Sequence, residues 1–137
     1  MDSTTSQGTT QGPPAARGKG TRRPSAPDAE GWVDVCAFED LEVNWGEAAI
    51  VAGHEYAVFR TNDDRVFVTD HRDPRSGALV IARGIVGRHG EQHTVASPLY
   101  KETYDLTTGQ CVAGGEWTLP VYPVRVREGR VQFQPAV

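Results

Sequence analysis

The sequence predicts an all-β domain, an antiparallel sandwich or small barrel, behind a disordered N-terminal tail. Three observations lead there. No window of helical length carries apolar residues at 3.6-residue spacing, and 15 glycines and 9 prolines would interrupt most such windows. Val124, Val126, Val131 and Phe133 alternate with Arg125, Arg127, Arg130 and Gln132 about Glu128-Gly129, the period of two expected of a hairpin with one buried and one wet face. Residues 1–30 contain no aromatic and no branched aliphatic side chain, so they cannot bury enough apolar surface to offset the entropy of ordering.

The elements follow in order. Trp32, Val33 and Val35 open a short strand, and Phe38 to Leu41 read as one helical turn or a tight loop. Glu47 to Ala52 and Tyr56 to Arg60 are apolar runs joined at Gly53-His54, a hairpin signal. After a turn at Asn62-Asp63-Asp64, Val66 to Val68 return as a strand, so a meander is the simplest account. Residues 70–77 (DHRDPRSG) form a polar loop. The apolar stretch from Ala78 to Val86 is broken at Arg83-Gly84 and turns at Gly87 to Gly90. Thr94 to Ala96 lead into a second irregular loop, Ser97 to Lys101, after which Tyr104 and Leu106 give a strand closed by Thr107-Thr108-Gly109.

Composition excludes several classes of function. In the tail four cations (Arg17, Lys19, Arg22, Arg23) face three carboxylates, so the whole-chain charge of −4 leaves −5 for residues 31–137. A net-acidic domain is not drawn to nucleic acid, and a barrel binding single strands would need a basic groove with stacking aromatics. No apolar segment follows the tail cations as in a signal peptide, and no run is long enough to span a bilayer, so a cytoplasmic protein with no membrane contact is expected. Cys36 and Cys111 stand far apart and in no CxxC pattern, which reads as two free thiols.

The residues offer little catalytic chemistry. His89 and His93 have the spacing of a helical metal pair, but they begin at a glycine turn in a strand context, where that spacing carries no meaning. His54 and His71 read as surface imidazoles. Cys36 lies beside an apolar strand, Ser97 lacks the glycine-flanked elbow of a hydrolase serine, and no phosphate-binding glycine loop is present. No catalytic, cofactor-binding or metal-binding residue is expected in this chain.

The two irregular loops carry more information. VFVTDHRDPR (66–75) and VASPLYKETYDLTTG (95–109) resemble the two loops of a Rieske-type ferredoxin domain, in which two Cys and two His hold a [2Fe–2S] cluster. In that alignment the ligand positions fall on Asp73 and Arg75 in the first loop, and on Ser97 and Tyr100 in the second. Pro74, Pro98 and the run Tyr104 to Gly109 remain. All four ligands are therefore replaced, by hard oxygens and a permanent cation that cannot stand in for thiolates and imidazoles. Asp73 and Arg75 could pair with each other or with neighbours, and Tyr100 could fill the space of an imidazole.

Within that fold, residues 70–112, with RGIVG (83–87) and VASPLYK (95–101) as the most specific runs, are similar to the small subunit of assimilatory NAD(P)H-dependent nitrite reductase. The resemblance implies a Rieske-like sandwich without a cluster and a partner: a large catalytic subunit carrying FAD, an iron–sulfur cluster and sirohaem, which reduces nitrite to ammonia in nitrate assimilation. It implies a non-redox supporting role for this chain, with Asp73, Arg75, Ser97, Tyr100 and Lys101 near the contact. The rival readings are a stand-alone ligand-binding or regulatory module on a degenerate Rieske scaffold and a thiol-dependent enzyme.

Overall fold

The structure, a computed structural model, describes residues 26–135. Residues 1–25, and with them most of the span read as a disordered tail, lie outside the described residues. Residues 28–31 form a turn in which the Asp28 carboxylate accepts the backbone N–H groups of Glu30 and Trp32, each at 2.9 Å. Trp32 then leads into β1 (Val33–Ala37), and a 3-10 turn at Phe38–Asp40 follows as expected.

A meander comes next: β2 (Trp45–Val51), β3 (His54–Arg60) and β4 (Val66–Asp70). Val51 pairs with His54 across Ala52-Gly53, whose φ values of 51° and 81° are both left-handed. Such a two-residue turn matches the twist of the flanking strands. The hairpin turn is therefore Ala52-Gly53 and not Gly53-His54; His54 belongs to the strand.

After a 3-10 turn at Ile81–Arg83 come β5 (Ile85–His89), β6 (Gln92–Ala96), β7 (Thr103–Asp105) and β8 (Cys111–Ala113). The β5–β6 turn sits at Gly90-Glu91, later than the expected Gly87 to Gly90, because Gly87, Arg88 and His89 all pair with β6. The chain ends in β9 (Val121–Tyr122), β10 (Val124–Arg127) and β11 (Arg130–Phe133). Glu128 and Gly129, with φ of 53° and 77°, close the last hairpin where its sequence pattern places the turn.

These strands form three antiparallel sheets, in the orders β9-β4-β3-β2, β10-β11-β1 and β5-β6-β7-β8. The first lies between the other two. Its strands are buried continuously over Tyr56 to Phe59 and Val66 to Thr69, which explains why both read as unbroken runs and not as alternation. Tyr56, Val58 and Val68 face Val33, Val131 and Phe133 of the β10-β11-β1 sheet. Ala57, Phe59 and Phe67 face Ile81, Val95 and Tyr104 on the other side. Each large side chain so buried contributes about 1.5–3 kcal/mol relative to exposure.

Gly109 fastens the third sheet to the central one. Its carbonyl accepts the Leu119 N–H at 2.8 Å, its φ is 82°, and a Cβ there would overlap the Leu119 carbonyl. Only glycine fits that approach.

Candidate functional site

The two irregular loops meet at the end of the molecule beyond β4 and β6. The first loop is built around Asp73, which is fully buried. Its backbone N–H donates to Ala78 O at 2.7 Å and its carbonyl accepts Gly77 N–H at 2.8 Å, closing the loop on itself. One carboxylate oxygen accepts the Arg75 N–H (3.1 Å), and the other accepts the hydroxyls of Ser76 (2.9 Å) and Ser97 (3.0 Å). A buried carboxylate is tolerated only with such a set of donors.

The second loop turns on Ser97, whose N–H donates to Glu102 O at 2.8 Å and whose carbonyl accepts Lys101 N–H at 3.1 Å. Lys101 takes a left-handed φ of 66°, and the chain after it turns the Glu102 side chain inward. Glu102 is 1% exposed. Its Oε2 accepts a 2.5 Å bond from Arg75 Nη1, a charge-assisted link between residues 27 apart in sequence.

The Arg75 guanidinium also lies 4.1 Å from the centre of the Tyr100 ring and 5.3 Å from that of Trp117, so two aromatic side chains flank it. The residues that the resemblance aligns with the thiolates, Asp73 and Ser97, are thus hydrogen-bonded to each other. Those that it aligns with the imidazoles, Arg75 and Tyr100, are stacked.

Of the two pairings the sequence left open, the structure takes the one with neighbours, and it departs from the expectation for Tyr100. Asp73 and Arg75 do not form an ion pair; Asp73 takes the Arg75 backbone N–H, while the guanidinium reaches across to Glu102. Tyr100 does not fill an interior space either, being 53% exposed and lying on the guanidinium from outside.

Sequence reasoning missed Glu102 and Trp117. A charged residue next to Lys101 in a polar loop signals solvent, and nothing local marks it as buried. It also took His71 for a surface group. His71 is buried, accepts the Ala82 N–H on Nδ1 at 3.1 Å, and is held below the usual histidine range chiefly by that burial.

Beneath the tip lies Tyr104. Burial first, and then the charge of Asp73, push its phenol well above the usual tyrosine range. Among the described residues its hydroxyl and Glu102 Oε1 have no hydrogen-bond partner.

The other three histidines lie on strands, and His54 is exposed as expected. His54, at the start of β3, bonds Asp70 at 2.6 Å, and the Tyr122 hydroxyl donates to the same carboxylate oxygen at 2.6 Å. His89 and His93 lie on the β5–β6 hairpin, and His93 is buried with Nε2 3.0 Å from Asp63. Cys36 is buried within β1 and Cys111 half-buried in β8; neither forms a disulfide.

With this geometry in view, similarity to known proteins becomes informative. Residues 31–134 match the family described as the Rieske-like [2Fe-2S] domain. The nitrite reductase (NADH) small subunit of Salmonella typhimurium is 33% identical over 104 residues, covering 75% of this chain and 96% of that protein. The chain belongs to the Rieske-like small subunits of nitrite reductase. A crystal structure of an NADH-dependent nitrite reductase small subunit from Mycobacterium tuberculosis, 37% identical, superposes with a TM-score of 0.73 over 77% of this chain and 96% of that one. A third relative is informative in another way. The nitrite reductase [NAD(P)H] large subunit of Klebsiella oxytoca is 34% identical over 100 residues, which cover 73% of this chain but 10% of that protein. There a stretch similar to this chain is part of the large-subunit polypeptide.

The donor set of this small subunit does not fit the cluster that its fold family is described by. Asp73 has its oxygens engaged by three donors, Arg75 is a cation already paired with Glu102, and Tyr100 faces outward. Neither cysteine lies in the loops, and among the described residues no group of three or more His, Cys, Asp or Glu is placed to hold a metal ion.

Proposed function

We propose that this chain works as the non-redox small subunit of a cytoplasmic NAD(P)H-dependent nitrite reductase, docking its two-loop tip on the large catalytic subunit. The large subunit supplies the chemistry: FAD, an iron–sulfur cluster and sirohaem carry electrons from NAD(P)H to nitrite, giving ammonia. The small chain supplies a rigid surface.

The observation that carries this reading is the mutually bonded set at the positions that the resemblance aligns with the four ligands, Asp73 with Ser97 and Arg75 with Tyr100 and Glu102. Such a tip is pre-organised, so little ordering entropy opposes its docking. It presents Leu99, Tyr100 and Trp117 as exposed apolar groups around the Arg75 and Lys101 cations, the mix of aromatic and Arg that dominates binding energy at interfaces. No helix among the described residues is long and apolar enough to cross a membrane.

Titration of the large subunit with the full chain tests this. The small chain should be colourless and iron-free and should bind. Tyr100→Ala and Lys101→Glu should each weaken binding by about tenfold with unchanged circular dichroism. A brown, iron-bearing small chain, or tip variants that bind as the wild type does, would overturn the reading.

A further inference from the structure

A second surface stands apart from the tip. A groove of about 420 Å³ runs between β4 and β10, with Val66, Phe67, Val68 and Leu106 in its floor and Arg65 and Arg125 on its rim. Its walls are unfinished strand edges. Among the described residues β9 pairs only with Val68 and Thr69, and the next bond along, from Asp70 N–H to Pro120 O, lies beyond the far end, so no described strand lies on that side of Val66.

Hydrogen-bond alternation gives the direction of the free groups. Thr61 N–H donates to Arg65 O at 2.9 Å, which makes those two a bonded pair across β3 and β4; the N–H and C=O of Val66, one residue on, therefore point away from β3. On the opposite wall, Gln134 N–H donates to Pro123 O at 3.0 Å. By the same alternation the backbone groups of Val124 and Val126 point away from β11, along an edge that no strand among the described residues covers. Val126 also breaks the pattern of its own hairpin: by alternation it belongs to the buried set, yet it is 46% exposed.

The charge of the rim is opposite to that of the domain. Residues 31–137 carry a net −5, yet among the described residues neither Arg65 nor Arg125 has a carboxylate within ion-pair distance. Asp64, at the groove's end, is taken by Arg60 at 2.8 Å. Open edges that face each other over an apolar floor accept an extended segment by strand addition, with side-chain pockets and charges selecting which one.

We propose that this groove receives an extended, acidic segment of the large subunit, which adds as a strand along β10. The inference rests on the subunit reading above; the two rim cations call for carboxylates in the occupant, and the Klebsiella large-subunit polypeptide carries a stretch similar to this chain. The occupant is an extended run with carboxylates placed to meet Arg65 and Arg125 and small apolar side chains for the floor.

Amide hydrogen exchange on the full chain, alone and saturated with the large subunit, is the test. The amides of Val66, Val124 and Val126 should slow by at least about tenfold on binding. Val126→Pro removes an N–H that the β10–β11 ladder does not use, so the hairpin should fold while binding weakens about tenfold. The double variant R65E/R125E, which leaves the backbone untouched, should weaken binding at low salt by about tenfold or more.

If the wild-type chain binds and those amides exchange at their free rates, the groove is not the site and this inference alone falls. If they slow in the small chain alone as its concentration rises, the occupant is a second copy and the inference is wrong. If the wild-type chain does not bind the large subunit at all, the subunit reading falls and takes this inference with it.

Discussion

The β10-β11-β1 layer and the two-loop tip are held by different forces, and the contrast separates what maintains the fold from what shapes its surface. In the layer, Val33, Val131 and Phe133 are buried without exposure against Tyr56 and Val58, and the Phe133 and Tyr56 rings meet at 4.8 Å and 63°, near edge-to-face. At the tip the contacts are polar: a buried carboxylate with three donors and an ion pair closed over by aromatic rings. The largest expected effect therefore lies in the layer. Phe133→Ala should cost about 3–5 kcal/mol in urea unfolding, because the truncation leaves a cavity between two sheets that cannot collapse. A loss under about 1 kcal/mol would show that the layers repack freely and that the contrast is false.

The tip should respond more weakly and in a way that depends on pairing. Arg75→Ala leaves Glu102 with no cation, and since the Arg75 side chain is 40% exposed the cost should fall below that of a fully buried pair, at about 2 kcal/mol. Adding Glu102→Gln to Arg75→Ala should recover about half of that, because the uncharged amide no longer needs the guanidinium. A double-mutant cycle reads the coupling directly, with at least about 1 kcal/mol expected and additivity as the refuting result. The aromatic flanks on Arg75 should raise its cost above that of the exposed Arg130–Asp34 pair, which is open to solvent on both sides.

The same contrast sets how much could be read from the chain. The last hairpin was legible because its register rests on a local period of two and on Glu128-Gly129, both contained within ten residues. The continuously buried β3 and β4 were legible as apolar runs, though not that the sheet they form has a layer on each face. β9 was not legible: two residues beside Pro123 carry no period, and they become a strand only because β4 offers an edge.

At the tip, the loops and their four replaced ligands emerged only through family resemblance. Glu102 lay outside even that, since its burial depends on an arginine 27 positions away. His71 failed for a related reason: its surrounding residues are polar, but its own ring turns inward to the Ala82 N–H. Sequence pattern reports burial where burial is periodic, and is silent where one polar side chain is buried by a distant partner.

The smallest expected effect concerns a joint between the central and third sheets, where a polar contact is added to an apolar one. Asp63, in the β3–β4 turn, accepts the Thr61 hydroxyl at 2.5 Å and the His93 imidazole at 3.0 Å, while the His93 ring packs 5.7 Å from Phe67. The Thr61 bond first, and the His93 bond second, hold the Asp63 carboxyl down to about 2. A carboxyl whose pKa is lower folded than unfolded adds stability that is complete above its unfolded value, near 3.8, and is lost as pH falls from there towards 2. Asp63→Asn should therefore flatten the stability curve between about pH 4 and pH 2 and leave its shape near neutrality unchanged. Asp63 is exposed, so the change should be small beside those at Phe133 and Arg75. Urea midpoints of the two proteins measured across that window would decide it: parallel curves would mean that His93 is held by its apolar packing alone and that the polar contact adds nothing to the joint.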